Sequence, residues 1–231
     1  MIELAVTTTG STRMIRCKVV LFDMDGTLVD STACVERVWR NWAVRRGVDV
    51  DALMAVAHGR QNPEVLQLVA PHLDVEAESA ALVDEEERCR EGIVAVAGAA
   101  QLLSALPTDR WAIVTSAWQK LAEIRLACAQ LPVPPVLVTA DDTPRSKPHP
   151  DGYLEAAARL GAEPSECLVI EDAHAGIEAG RAAGMTVLGI ATTFTRDELG
   201  CDFCIDDLRA IQVIRRPKTG EFMLPRRVPA R

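Results

Sequence analysis

The stretch Val19-Val20-Leu21-Phe22-Asp23-Met24-Asp25-Gly26-Thr27-Leu28-Val29-Asp30-Ser31 decides how the rest of the chain is read. Four apolar residues in a row are what a strand buried on both faces requires. Two carboxylates stand at its end, and Gly26 allows a sharp bend just after them. Open parallel sheets bind ligands at the carboxyl ends of their strands. What the other strands deliver to that edge is therefore the question the remaining sequence must answer.

Downstream of Gly98 the pattern alternates. Residues 99–106 read as helix, 111–115 as strand, 119–129 as helix, 136–139 as strand and 150–160 as helix. Residues 168–170 then read as strand, 173–183 as helix and 187–190 as strand. Regular alternation predicts an α/β fold with a Rossmann-like, doubly wound parallel sheet. Residues 31–94 have a different, purely helical rhythm. Val35, Val38, Trp39 and Trp42 fall on one helical face, and Gly47 fits a C-cap. A second helix is expected near 52–57, a third with Asn62 as N-cap and Pro63 at the first helical position, and a fourth, rich in Glu, over 77–90.

The expected organisation is thus a core of residues 14–30 and 95–213 with an inserted all-helical cap of residues 31–94. Residues 1–13 carry four Thr and no helical period, and are expected to be a loose leader. Residues 214–231 hold six basic residues and one acidic residue interleaved with proline, the composition of a flexible, solvated end.

The 231 residues are 48% apolar, enough for one large core with a smaller satellite. Net charge is −8, from 25 basic and 33 acidic residues, which argues against nucleic acid and anionic membranes as partners and for a small metabolite. No apolar run has the length of a membrane span. The seven cysteines show no framework spacing, and thiols in such number suit a reducing cytoplasm. Cys201 and Cys204 form a C-x-x-C, but they sit in a short alternating run without further zinc ligands, so they are read as small apolar strand residues.

The expected edge holds Asp23 and Asp25 after the first strand, Thr115 and Ser116 after the second, Lys147 in the loop after the third, and Glu171 and Asp172 after the fourth. Each has an ordinary reading alone: Asp172 would make a good helix N-cap, and Lys147 a solvated charge. Together they form a set for phosphoryl transfer. A carboxylate nucleophile and a phosphomonoester dianion repel one another, so catalysis needs positive charge and aimed donors around the phosphoryl oxygens. Carboxylates that hold Mg2+ and a fixed lysine supply it.

The segment Asp23-Met24-Asp25-Gly26-Thr27 resembles the first motif of the haloacid dehalogenase superfamily. Thr115-Ser116 resembles the second motif, Lys147-Pro148-His149-Pro150-Asp151 the third, and Glu171-Asp172-Ala173-His174-Ala175-Gly176 the fourth. The resemblance covers residues 17–209. It implies Asp23 as nucleophile, Asp25 as acid then base, and Ser116, Ala117 and Lys147 as the phosphate site. It also implies Asp23, the carbonyl of Asp25, Asp172 and Glu171 around Mg2+. Family dehalogenases lack the second Asp and use no metal, so Asp25 and the Glu171-Asp172 pair imply a phosphatase. The cap stretch His58-Gly59-Arg60 is similar to one in sugar-phosphate and glycerol-phosphate phosphatases, and implies substrate binding by these three residues. The expected substrate is a small phosphorylated sugar or polyol, and the expected assembly a monomer or homodimer. A sugar phosphomutase of the β-phosphoglucomutase type shares all four motifs. A non-catalytic binding protein on this fold would have lost one or more of Asp23, Asp25, Lys147 and Asp172, and none is lost.

Overall fold

In the computed structural model, residues 1–8, 11–57, 60–201 and 203–214 are described. The strands are β1 Ile2–Thr8, β2 Ser11–Cys17, β3 Val19–Phe22, β4 Val29–Asp30, β5 Val94–Ala95, β6 Trp111–Val114, β7 Leu137–Val138, β8 Cys167–Glu171, β9 Thr186–Ile190, β10 Cys204–Ile205 and β11 Ile211–Ile214. The α-helices are α1 Thr32–Arg46, α2 Val50–Ala57, α3 Asn62–Val69, α4 Val75–Arg88, α5 Ala99–Ala105, α6 Gln119–Cys128, α7 Asp151–Arg159, α8 His174–Ala182 and α9 Arg196–Leu199. None of these helices is long and apolar enough to cross a membrane.

Six strands form a sheet in the order β10-β9-β8-β3-β6-β7, parallel throughout. This is the α/β, Rossmann-like doubly wound sheet expected from the alternation. The apolar run of β3 is explained by its central place, because successive residues of a strand face opposite sides. Val20 and Phe22 pack with Leu102, Leu121 and Leu126 of α5 and α6. Val19 and Leu21 pack with Tyr153 and Ala156 of α7 and Ala179 of α8 on the other side. β3 pairs with β8 on one side, in the register Phe22↔Ile170, and with β6 on the other, in the register Phe22↔Ile113. The residues just past these strand ends therefore emerge side by side.

Helices α1 to α4 have a hydrophobic cluster of their own, built on Trp39, Trp42, Leu53, Leu66 and Leu82. Trp39 and Trp42 meet edge to face at 5.7 Å. Gly47 ends α1 in the left-handed conformation, as a C-cap glycine does. The two connections to this helical unit run together, since β4 and β5 pair antiparallel with Val29 opposite Ala95.

Three local expectations need correction. Residues 1–13 are not a loose leader: β1 and β2 form a hairpin, and β11 joins it in a three-stranded antiparallel sheet ordered β11-β1-β2. Ile2, Leu4 and Val6 alternate along β1 and are buried against the main core, which fixes the segment. Ile214, expected in the C-terminal tail, is the last residue of β11 and lies opposite Glu3. All six basic residues of that tail lie outside the described residues. Asn62 is not the N-cap of α3 but its first residue, one place after Gln61, and its side chain is turned to other use.

Cys204 is buried in β10, in a cluster with Ile177 and Leu199, and Cys201 packs against the same cluster, in accord with a role as small apolar residues. Cys34 and Cys89 are paired, with Cα atoms 6.0 Å apart. Fifty-five residues separate them, so no sequence spacing pointed to the pair.

Candidate active site

The bend after β3 depends on one glycine. Gly26 has φ +87°, and a Cβ there would collide with the carboxylate of Asp172. The closeness that forbids a side chain is what brings the first and fourth edge segments together. Gly176 does the same in the first turn of α8, where a Cβ would overlap the Glu171 carboxylate.

Around that bend sits a buried polar cluster. Asp23, Lys147, Glu171 and Asp172 are 6%, 5%, 1% and 2% exposed. Lys147 Nζ donates to Asp23 Oδ1, to Glu171 Oε1 at 2.7 Å, and to the Val114 carbonyl at 3.2 Å. The ammonium thus reaches the ends of β3, β6 and β8 at once. Glu171 is fully engaged: Oε1 also accepts from Tyr153 Oη at 3.0 Å, and Oε2 accepts the backbone N–H groups of Asp172 and Ala173 at 2.9 and 3.0 Å. Asp172 Oδ1 accepts from Thr27 Oγ1 at 3.2 Å. It does not cap α8, whose N-cap is Ala173, so the ordinary reading of Asp172 fails.

Burial disfavours charge throughout the cluster. It pushes the Asp23 carboxyl well up, with Glu171 and Asp172 adding to the push and Lys147 opposing it. Burial and the neighbouring Glu171 raise Asp172 to about 7. Burial also acts against the Lys147 ammonium, but Asp23 and Glu171 outweigh it and hold its pKa above the usual lysine range. Tyr153 is driven well up by burial and stays a neutral donor.

One oxygen from each of Asp23, Glu171 and Asp172 lies within 4.8 Å of the other two. Three buried carboxylates with one lysine among them carry excess negative charge, and a divalent cation bound by oxygen fits that charge and donor set. The carboxylate of Asp25 is not in this group. Its Oδ1 accepts from Ser31 Oγ at 2.6 Å and its Oδ2 from Arg125 at 2.7 Å. It faces a cavity it shares with Asp23, Thr115, Ser116, Ala117 and Asp172.

The edge residues named from sequence therefore converge. Ser116 and Ala117 line the cavity beside Asp23, and the Ala117 N–H donates to Thr115 Oγ1 at 3.1 Å. Arg60 also lines the cavity, and its guanidinium donates to the Val56 carbonyl at 3.1 Å. His58 and Gly59 lie outside the described residues.

Arg125, Glu86 and Asn62 also line the cavity, and none of them was placed in the site from sequence. Arg125 of α6 is 5% exposed. Its guanidinium reaches Asp25 and, at 3.5 Å, Oε1 of Glu86 on α4. Asn62 Nδ2 donates to the other oxygen of Glu86 at 3.2 Å. Burial pushes the Glu86 carboxyl up, and Arg125 opposes that push. A signal was present: Leu121, Ala122, Arg125 and Leu126 share the buried face of α6, and a charge on an apolar stripe marks a buried, partnered group.

Comparison with known proteins bears on this arrangement. The sequence profile of haloacid dehalogenase-like hydrolases matches residues 17–184. Hexitol phosphatase A of Escherichia coli (strain K12) is 42% identical over 208 residues, covering 87% of this chain and 96% of its own. Glycerol-1-phosphate phosphohydrolase 1 of Saccharomyces cerevisiae is 33% identical over 214 residues, 86% of each chain. Among solved structures, a hydrolase from Pseudomonas syringae superposes with a TM-score of 0.74 at 28% identity, covering 84% of this chain and 95% of that one.

Proposed function

The chain belongs to the haloacid dehalogenase-like hydrolases, and on that premise we propose that it is a Mg2+-dependent phosphatase of a small sugar or polyol phosphate. The observation that carries this reading is the buried convergence of Asp23, Lys147, Glu171 and Asp172 beside a cavity that Asp25 also faces. The names of the two relatives support a hexitol or glycerol phosphate as the kind of substrate.

In this reading the Asp23 carboxylate attacks phosphorus, a P–O bond forms to Asp23, and the P–O bond to the alcohol breaks. Asp25 gives the departing oxygen its proton. The Asp25 carboxylate then takes a proton from water as that water attacks phosphorus, which frees inorganic phosphate and restores Asp23. Lys147 offsets charge on the phosphoryl oxygens, and Ser116 and Ala117 bind them. Asp23, the Asp25 carbonyl and Asp172 would hold Mg2+, which when bound lessens the repulsion between carboxylate and phosphate. Every oxygen of Glu171 already accepts hydrogen bonds, so its part is to fix Lys147 and the start of α8.

Residues 31–94 act as the cap over this core, with His58, Gly59 and Arg60 as its substrate-binding residues. Phosphorylated sugars and polyols do not cross membranes unaided, which supports a cytoplasmic setting. The test is release of phosphate from a panel of sugar and polyol phosphates with Mg2+ and with EDTA. Hydrolysis of a hexitol or glycerol phosphate that stops on chelation is expected. Full activity after exhaustive chelation, or no turnover of any phosphomonoester, would overturn the reading.

A further inference from the structure

The cavity above Asp23 has a second polar end, built from both the core and the cap. Arg125 enters it from α6, and Glu86 and Asn62 enter it from α4 and α3. Among the described residues, Arg125 Nε is buried without a hydrogen-bond partner. Its contact with Glu86, at 3.5 Å, is longer than a good hydrogen bond. The guanidinium and the Glu86 carboxylate thus stand next to one another in the cavity lining, at a separation longer than a good hydrogen bond. A buried donor left without a partner, as Arg125 Nε is, is costly unless something completes it.

The chemistry restricts what can do so. An anion would meet Glu86, and a cation would meet Arg125. An alkyl group would leave both unsolvated. A neutral hydroxyl suits the pair, because it accepts from the guanidinium and donates to the carboxylate through one oxygen. The position suits the alcohol portion of a substrate. Arg125 also holds Oδ2 of Asp25, the group assigned to protonate the leaving oxygen, so a bound alcohol would extend from that oxygen toward Glu86 and Asn62.

We propose that Arg125, Glu86 and Asn62 form a hydroxyl-binding subsite that selects polyhydroxylated leaving groups and is complete only with the cap closed on the core. The proposal rests on the phosphatase reading and specifies how that enzyme chooses among phosphomonoesters. It also disfavours a sugar bisphosphate, whose second phosphate would be brought against Glu86.

The test compares a hexitol phosphate with hexyl phosphate, the same carbon chain without hydroxyls. In the wild-type protein kcat/KM is expected to favour the hexitol ester by about tenfold to a hundredfold, as for loss of hydrogen bonds to charged groups. In Glu86→Ala that preference should collapse toward unity, chiefly through KM, and Glu86→Gln, which keeps an acceptor oxygen, should restore part of it. Binding to Asp23→Asn protein gives a readout apart from turnover: adding Glu86→Ala should weaken the hexitol ester at least about tenfold and inorganic phosphate far less. Equal turnover of both esters by the wild type overturns the subsite without need of any variant, while leaving the phosphatase reading in place. A Glu86→Ala protein that loses activity equally on both esters also overturns it, by making Glu86 a support of the cap. Wild-type protein that hydrolyses neither ester nor any other phosphomonoester overturns the phosphatase reading and this one with it.

Discussion

Lys147 donates to Asp23, Glu171 and a main-chain carbonyl, so its removal should cost more than one hydrogen bond. Lys147→Ala leaves buried carboxylates without their fixed cation, in a site that must also receive a phosphate dianion. Turnover is expected to fall by ~10²–10³, the usual cost of losing one such stabiliser. Steady-state kinetics at saturating Mg2+ checks this, and a loss below about tenfold would make Lys147 peripheral. At this scale the positions of residues at strand ends were legible in the sequence. Asp23, Ser116, Glu171 and Asp172 were legible because a strand must stop there and a carboxylate or hydroxyl is what it delivers. Arg125 and Glu86 were not, because charges in mid-helix are usually solvated. Only the helical phase of Arg125, shared with Leu121 and Leu126, marks it as inward. The partnership of Glu86 with Arg125 is a contact between α4 and α6 that spacing does not encode.

Among the elements, β1 shows most clearly how local reading can miss. Its Thr-rich run lacks a helical period, which suggested a loose leader, yet Ile2, Leu4 and Val6 keep strict alternation and Thr is at home in strands. One of its two partners, β11, lies more than 200 residues away, beyond any local pattern, and the other, β2, follows it in a hairpin. Leu4 is fully buried in the main core. Leu4→Ala is expected to destabilise the protein by about 2–5 kcal/mol through lost burial and the cavity left behind. Urea unfolding measures it, and a change under about 0.5 kcal/mol, the range of a surface substitution, would show that the hairpin is not part of the cooperative fold. By contrast the central sheet was readable, because β3, β6 and β8 are buried on both faces and declare themselves as unbroken apolar runs.

For the whole molecule, the buried carboxylates couple pH to stability, and a divalent cation held by them would change that coupling. Asp23 and Asp172 bind protons more tightly folded than unfolded, since burial raises both, Asp172 to about 7. Their contribution to stability is therefore full below the ordinary carboxylate range and is lost as pH rises through the raised values. Metal-free protein should accordingly lose more stability between about pH 5 and about pH 8 than protein with Mg2+. Thermal unfolding with EDTA and with Mg2+ reads this as a gap in Tm that widens with pH, and a gap independent of pH would separate the metal from these two residues. The central claim is that a phosphoryl group passes through Asp23, and one measurement meets it directly. Enzyme turning over substrate with Mg2+ is quenched into borohydride, which reduces an acyl phosphate to an alcohol, and its peptides are sequenced by mass spectrometry. Homoserine at position 23, dependent on both substrate and Mg2+, is the expected result; reduction at a different carboxylate, or none during sustained turnover, would contradict it.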